Sequence, residues 1–216
     1  MEITGILLAA GSASRFGGGK LAHPLPDGTP IGLASLRNLR AALPDVLVVI
    51  REGDARLREM FEDEGARVQE CADARLGISR SLACAVRAAP AGRGWLFALG
   101  DMPYLKPQTL RAVAGSIGDG IAIPEYAGQR GNPVGFASRY VDELLALRGD
   151  EGARSLLRRH PDDVTVVPCD DPGILRDIDR REDLDGASHS VLTTEPLNSR
   201  HGGTGNTEEK EKRRKK

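Results

Sequence analysis

The stretch "ITGILLAAGSASRFGGGK" (residues 3–20) places an uncharged apolar run directly before a segment with four glycines, one arginine and one lysine. The apolar run, residues 3–10, predicts a buried strand. The segment after it cannot build a core, because it has almost no bulky side chains and because glycine is entropically costly to order. Such a segment is typical of backbone that comes close to an anionic ligand.

This glycine-rich loop offers backbone N–H groups at residues 11–14 that can form an anion nest, while Arg15 and Lys20 supply mobile positive charge. Its spacing excludes two common phosphate-binding patterns. A P-loop would need glycine in place of Ser14 and a hydroxyl residue in place of Leu21, and no spacing of the four glycines matches GxGxxG. One structural alternative stays open, a glycine-rich turn with two surface cations.

The overall composition is that of a globular protein, with 216 residues, 40% hydrophobic and 28% charged, and a formal net charge of −1. This charge and an aromatic content of 4% argue against nucleic acid as a partner. The three cysteines are widely spaced and form no CxxC, which predicts reduced thiols rather than disulfides or a zinc site. The sequence has neither a signal-peptide pattern nor an apolar run of ~18–20 residues, so we expect a cytoplasmic protein that does not bind membranes.

Strand-like and helix-like segments alternate along the chain. Besides residues 3–10, strands are predicted at residues 46–50, 67–70, 95–99, 121–124, 134–136 and 164–167. Helices are predicted at residues 31–43, 55–64, 79–89, 107–116, 139–147, 152–159 and 180–184. This alternation predicts a three-layer, Rossmann-like α/β fold with a mostly parallel central sheet. We expect one domain over residues 1–186, followed at 187–216 by a polar, charged tail that is disordered.

Ligands of such sheets bind beyond the carboxyl ends of the strands, which puts the glycine-rich loop and Asp101 on one rim. Asp101 follows the apolar segment "WLFALG", and a carboxylate in this position can hold Mg²⁺. In "DIDRREDL", Asp177 and Asp179 face one side if residues 175–178 are extended, and could then share a metal with Asp101. Two structural alternatives stay open: Asp101 begins a turn before a proline, and Asp179 forms a capping box with Glu182.

Three further segments are predicted to complete the pocket. In "LGISRSL", Ser79 and Ser81 open a helix, where they could hold a ribose or a base edge. The alternative is that Ser79 only caps the helix. The segments "RGNPVGF" and "GDEGARSLL" are interpreted as loops that shape the second half of the pocket, although the latter could instead be a helix start capped by Asp150.

Taken in this order, the motifs "LLAAGSASRFGGGK", "LGDMPYL", "RGNPVGF" and "DIDRREDL" resemble those of the MobA-like nucleotidyltransferase family, over residues 3–184. "LAAG", with Ala10, is similar to the branch that transfers cytidylyl groups to the molybdenum cofactor, whereas guanylyl-transferring relatives carry "LAGG". The resemblance implies catalytic roles for Arg15, Lys20 and Asp101, and a Mg²⁺ ion held by Asp101 and Asp179. The substrate-binding positions that it implies are Leu8, Ala9, Ala10, Gly11, Ser12, Ala13, Ser79, Ser81, Gly131, Asn132 and Pro133.

The reaction that the resemblance implies is attack by the terminal phosphate of molybdopterin on the α-phosphorus of CTP, with release of pyrophosphate. A phosphate monoester has a second pKa near ~6, so it is already mostly dianionic at neutral pH and needs no general base. A molybdoenzyme or its chaperone would receive the product. The alternatives are a sister transferase that uses GTP or another NTP and a different phosphate acceptor, an NAD(P)-dependent oxidoreductase, and a non-catalytic cofactor carrier.

Overall fold

The structure is a computed structural model that describes residues 3–89 and 92–188. The predicted tail, residues 187–216, lies outside these residues from position 189 onward and stays a prediction. Eight strands of the described residues form one sheet: β1 (Ile3–Leu8), β2 (Val46–Arg51), β3 (Arg67–Cys71), β4 (Gly94–Leu99), β5 (Ile121–Tyr126), β6 (Gln129–Arg130), β7 (Val134–Ala137) and β8 (Val164–Pro168). Their order is β3-β2-β1-β4-β7-β5-β6, with β8 paired to β5.

The sheet is mostly parallel, as the sequence predicted. Strand β1 pairs in parallel with β2 on one side and β4 on the other, β2 with β3, and β5 with β8. Only β6 and β7 run antiparallel to their neighbours among the described strands. The central strands are mostly apolar, and Ile6, Leu7 and Val48 are fully buried. Because β2, β1 and β4 are adjacent and parallel, the loops that follow them lie side by side on one rim.

The helices flank the sheet and cover its apolar strands. They are α1 (Ile31–Ala42), α2 (Ala55–Asp63), α3 (Ile78–Ala88), α4 (Pro107–Gly115), α5 (Val141–Ala146) and α6 (Arg154–Arg159). Helix α1 packs beside α4, and α3 packs beside α5. A Cβ atom at Gly5 would lie 3.2 Å from the side chain of Leu39, so the glycine in β1 lets α1 approach the sheet closely. No helix in the described part of the chain is long and apolar enough to cross a membrane.

Several local predictions differ from the structure. The helix predicted at residues 139–147 is divided into a 3₁₀ turn, Ser138–Tyr140, and α5. Helix α6 begins at Arg154, and no side chain caps it, so the interpretation of Asp150 as its cap is wrong. Residues 172–175 form a 3₁₀ turn, which shortens the extended segment that was expected at residues 175–178.

The predicted capping box of Asp179 and Glu182 is also wrong. The carboxylate of Asp183 instead accepts the N–H groups of Asp179 (2.8 Å) and Arg180 (2.7 Å). Since Asp183 rather than Glu182 caps this turn, the carboxylate of Asp179 remains available for other contacts.

Candidate active site

Two neighbouring cavities open on the rim formed by the carboxyl ends of β1, β2 and β4. The first, which we call the loop cavity, has a volume of about 380 Å³ and is lined by the start of the glycine-rich loop, Lys20 and Asp101. The second, the wide cavity, has a volume of about 1060 Å³. Four residues line both: Leu8, Ile78, Leu99 and Asp150. The two cavities are therefore separated by a thin wall rather than by a layer of core.

The glycine-rich loop leaves its backbone open toward the loop cavity. Within the described residues, the N–H groups of Gly11, Ser12 and Ala13 donate to no backbone carbonyl or side chain. Ala13 has a left-handed backbone conformation (φ 48°), and three consecutive glycines that follow Phe16 also have positive φ. This turn is therefore suited to an anion, because bare N–H groups can bind one.

Two cations and two carboxylates meet beside this backbone. Lys20 Nζ lies 2.7 Å from Asp101 Oδ2 and 3.4 Å from Asp179 Oδ1. An Arg15 guanidinium nitrogen lies 3.0 Å from Asp179 Oδ2. The Lys20 side chain is only 9% exposed, whereas that of Arg15 is 72% exposed, so Lys20 is enclosed by the site and Arg15 lies at its solvent side.

The chain segment that carries Asp179 is fastened to the turn after β4. The N–H of the fully buried Ile178 donates to the backbone carbonyl of Asp101 (2.9 Å). Oxygen atoms of Asp101, Asp177 and Asp179 consequently lie within 4.8 Å of one another. Mg²⁺ and similar divalent cations take carboxylate oxygens as ligands, so this set of donors fits such an ion.

The two predicted serines differ in their surroundings. Ser81 is buried and lines the loop cavity, and its contact with a nucleotide stays a prediction. Ser79 lines neither cavity, and its hydroxyl donates to the backbone carbonyl of Gly149 (2.7 Å). The structure therefore does not support the predicted contact between Ser79 and a ribose or a base.

The segment of Gly131, Asn132 and Pro133 lies at the wide cavity, but only Asn132 lines it. The N–H of Asn132 donates to the carbonyl of Ile174 (2.9 Å), and a Cβ atom at Gly131 would lie 2.2 Å from that carbonyl oxygen. Gly131 thus lets the chain approach Ile174 and places Asn132, because the close approach leaves no room for a side chain at position 131.

Sequence reasoning missed several cationic side chains of the site. Arg51 lines the loop cavity and donates to the carbonyl of Ala10 (3.3 Å); its place directly after the apolar segment "VLVVI" could have indicated this rim. Arg148, Arg154 and Arg158 line the wide cavity and form no ion pair with a carboxylate of the described residues. Nothing in their local sequence distinguishes them from ordinary surface arginines.

Residues 5–166 match the MobA-like NTP transferase domain. The chain belongs to the MobA-like NTP transferase family. It is therefore a nucleotidyltransferase, and the oxidoreductase and carrier alternatives are not retained. The purine catabolism protein PucB of Bacillus subtilis is 34% identical over 194 residues, which cover 85% of this chain and 94% of PucB.

Two more relatives are similar to this chain: one is named for the nucleotidyl group that it transfers, and the other has a crystal structure with a metal ion. A molybdenum cofactor guanylyltransferase of Burkholderia vietnamiensis is 38% identical over 67 residues, which cover 31% of this chain and 33% of that protein. The crystal structure of Rv0371c from Mycobacterium tuberculosis is similar with a TM-score of 0.74 and 28% identity, covering 86% of this chain and 96% of that one. A manganese complex of Rv0371C aligns with a TM-score of 0.70, 27% identity and coverage of 86% and 97%.

Proposed function

We propose that the chain transfers CMP from CTP to the terminal phosphate of the molybdopterin cofactor, in a Mg²⁺-dependent reaction that releases pyrophosphate. The observation that carries this proposal is one acidic cluster that belongs to both cavities. Asp101 lines the loop cavity and Asp177 lines the wide cavity, yet their carboxylates lie within 4.8 Å of each other. A nucleotide in one cavity and an acceptor in the other would therefore meet at these carboxylates.

The loop cavity is suited to the nucleoside triphosphate. The open N–H groups of Gly11, Ser12 and Ala13 can bind phosphate oxygens, and Lys20 and Arg15 can neutralise the β- and γ-phosphates. The rest of the cavity extends across β1 to Arg51 at the end of β2, on the other side of β1 from Asp101, and it includes Ser81 of α3. Neighbouring strands are roughly 4.8 Å apart, so this end is far enough from Asp101 to hold the nucleoside.

The wide cavity is suited to an acceptor that is part apolar and part anionic. Its apolar lining includes Leu82, Phe97 and Ile174, and its polar lining includes Arg154 and Arg158, which form no ion pair within the part of the chain that the structure describes. A planar heterocycle with a phosphate group matches this combination, because the ring packs on apolar side chains and the phosphate is attracted by guanidinium groups.

The chemistry requires positioning and charge neutralisation more than proton transfer. An oxygen of the acceptor phosphate forms a bond to the α-phosphorus while the bond from that phosphorus to the bridging oxygen breaks, and the electron pair leaves with pyrophosphate. Mg²⁺ on Asp101 and Asp179 would offset the negative charge of the two reacting phosphates. Lys20 and Arg15 neutralise the departing pyrophosphate, and the dianionic acceptor needs no base.

CTP is favoured by Ala10 in "LAAG", the form of the loop that resembles the cytidylyl-transferring branch. GTP is the second candidate, since one relative is a molybdenum cofactor guanylyltransferase. The acceptor in both cases is the molybdopterin phosphate. The name of PucB, a purine catabolism protein, indicates neither a nucleotide nor an acceptor.

The decisive experiment measures pyrophosphate release with Mg²⁺, isolated molybdopterin cofactor and each of CTP, GTP, ATP and UTP in turn. We expect release with CTP at least about 10-fold faster than with the other three, the discrimination that a shape-selective pocket commonly gives. Release with GTP alone would replace the cytidylyl proposal by the guanylyl one. Release with no triphosphate would overturn the assignment of molybdopterin as the acceptor.

A further inference from the structure

A single backbone carbonyl connects the two cavity walls. Ser79, the second residue of α3, is fully buried, and both its hydroxyl (2.7 Å) and its N–H (3.3 Å) donate to the carbonyl oxygen of Gly149. The two residues are 70 positions apart in the sequence. This contact is therefore a tertiary one, and it is the reason why the Ser79 hydroxyl is not available to a nucleotide.

Gly77 shows how close this approach is. A Cβ atom at Gly77 would lie 2.2 Å from the carbonyl oxygen of Gly149 and 2.9 Å from a carboxylate oxygen of Asp150. Its φ of +115° also disfavours other residue types. The beginning of α3 and residues 148–152 are consequently in direct backbone contact, with no side chain between them.

Residues 148–152, which we call the wall segment, form much of the wide cavity. Arg148, Asp150, Glu151 and Gly152 line it, and Asp150 lines the loop cavity as well. The other partner of the contact, Ser79, lines neither cavity itself, but it directly follows Gly77 and Ile78, which line the loop cavity. The Ser79–Gly149 contact thus fixes the acceptor side of the site to the nucleotide side.

The wall segment has little else to hold it. Its other hydrogen bonds are local: Glu151 N–H donates to the Arg148 carbonyl (3.0 Å), and the Ser155 hydroxyl donates to the Gly152 carbonyl (2.9 Å). Among the described residues, Ser79 is the only one from outside residues 148–155 that forms a hydrogen bond with the segment. The segment also belongs to no helix or strand, so its placement depends strongly on Ser79.

We propose that Ser79 is a positioning residue for the acceptor: it holds the wall segment where the wide cavity needs it, without touching the nucleotide. This inference rests on the proposed function, because it assigns the wide cavity to the acceptor. When the Ser79 hydroxyl is removed, the wall segment loosens and the acceptor phosphate is held less well. Within the wall segment Asp150 alone lines the loop cavity, and the glycine-rich loop and the Lys20–Asp101 pair are untouched, so binding of CTP and the chemical step at saturation are largely retained.

The test is Ser79→Ala, with separate measurements of the acceptor KM, kcat and the Kd of CTP. We expect the KM for molybdopterin to rise about 10-fold, the size of effect that loss of a buried hydrogen bond gives, with kcat and the Kd of CTP within about 2-fold of wild type. Ser79→Cys keeps a weaker donor and should give an intermediate KM. Ser35→Ala is the matched control, since Ser35 is a buried serine that donates to a backbone carbonyl in α1 and lines neither cavity.

Amide hydrogen exchange supplies a readout that does not depend on activity. Exchange in residues 148–152 should become faster in Ser79→Ala and stay unchanged in Ser35→Ala. An unchanged acceptor KM in an active Ser79→Ala enzyme overturns the inference alone. An equal rise in the Kd of CTP also overturns it, because Ser79 would then act on the nucleotide. If wild-type protein releases no pyrophosphate with molybdopterin and any triphosphate, the proposed function fails first and the inference fails with it.

Discussion

Lys20 and Asp101 form an ion pair of 2.7 Å between Nζ and Oδ2, although they are 81 positions apart in the sequence. Lys20 ends the loop after β1, and Asp101 lies in the turn after β4. Strands β1 and β4 are neighbours and parallel, so the topology of the sheet brings the two side chains together. The pair is little exposed on the lysine side, which strengthens its electrostatic attraction relative to a surface pair.

Replacement of Lys20 by alanine should therefore affect activity much more than replacement of another lysine. We expect Lys20→Ala to lower kcat/KM about 10²–10³-fold, because it removes a fixed positive charge from the departing pyrophosphate. Lys106→Ala is the control, since the Lys106 ammonium donates to the carbonyl of Asp170 and Lys106 lines neither cavity. Equal losses in the two variants would contradict the assigned role of the loop.

Asp101 and Asp179 should be required for binding of the divalent cation. We expect Asp101→Asn to lower turnover about 10²–10³-fold and to weaken Mn²⁺ binding in a calorimetric titration, with Asp179→Asn in the same direction. Asp162→Asn, at an exposed position outside both cavities, is the control for loss of one carboxylate. Substantial turnover in folded Asp101→Asn would show that the metal is held elsewhere.

The choice of nucleotide should respond to Ala10. Ala10 is buried, lines the loop cavity and has its carbonyl bound by Arg51, so in the proposed nucleotide site its methyl group would limit the space beside the base. Ala10→Gly should lower the ratio of kcat/KM for CTP to that for GTP about 10-fold, the discrimination that one methyl group can give. Ala9→Gly removes the same group from the adjacent buried position of this cavity. If both variants change the ratio equally, Ala10 has no special part in the choice of base.

The parts of the fold that the sequence predicted are those with a strong local pattern. "VLVVI" and "WLFAL" became the buried strands β2 and β4, since uninterrupted apolar runs fit a covered parallel sheet. The rule that ligands bind at the carboxyl ends of such strands predicted that Lys20 and Asp101 lie on one rim. The contact of Ser79 with Gly149 could not be predicted, because it depends on tertiary packing that no local pattern reports. Strand β6 was missed because two residues are too few for periodicity.

Asp171 should be a main determinant of stability. It is 1% exposed, and its carboxylate accepts the N–H of Lys106 (2.9 Å), the hydroxyl of Thr109 (2.7 Å) and the N–H of Gly173 (2.9 Å). Asp171→Ala leaves these donors without an acceptor and should lower the free energy of unfolding by about 3 kcal/mol in urea denaturation. Asp170→Ala is the control at the exposed neighbouring position, where a change below about 0.5 kcal/mol is expected. Similar losses in both variants would mean that the Asp171 contacts do not stabilise the fold.

Cys84 should react unusually slowly with alkylating reagents. Burial, followed by the neighbouring Cys71, raises the pKa of the Cys84 thiol from 9.0 to about 12. A raised pKa lowers the thiolate fraction at any pH below it, and the higher nucleophilicity of the thiolate offsets only part of this, so alkylation of Cys84 by iodoacetamide at pH 8 should be at least about 10-fold slower than that of an ordinary thiol. The rate should still rise tenfold per pH unit above pH 9, where an ordinary thiol levels off. Peptide mass spectrometry measures this rate, with the chain unfolded in guanidinium chloride as the control. Rapid labelling of Cys84 in the folded protein at pH 8 would contradict the raised pKa of this thiol.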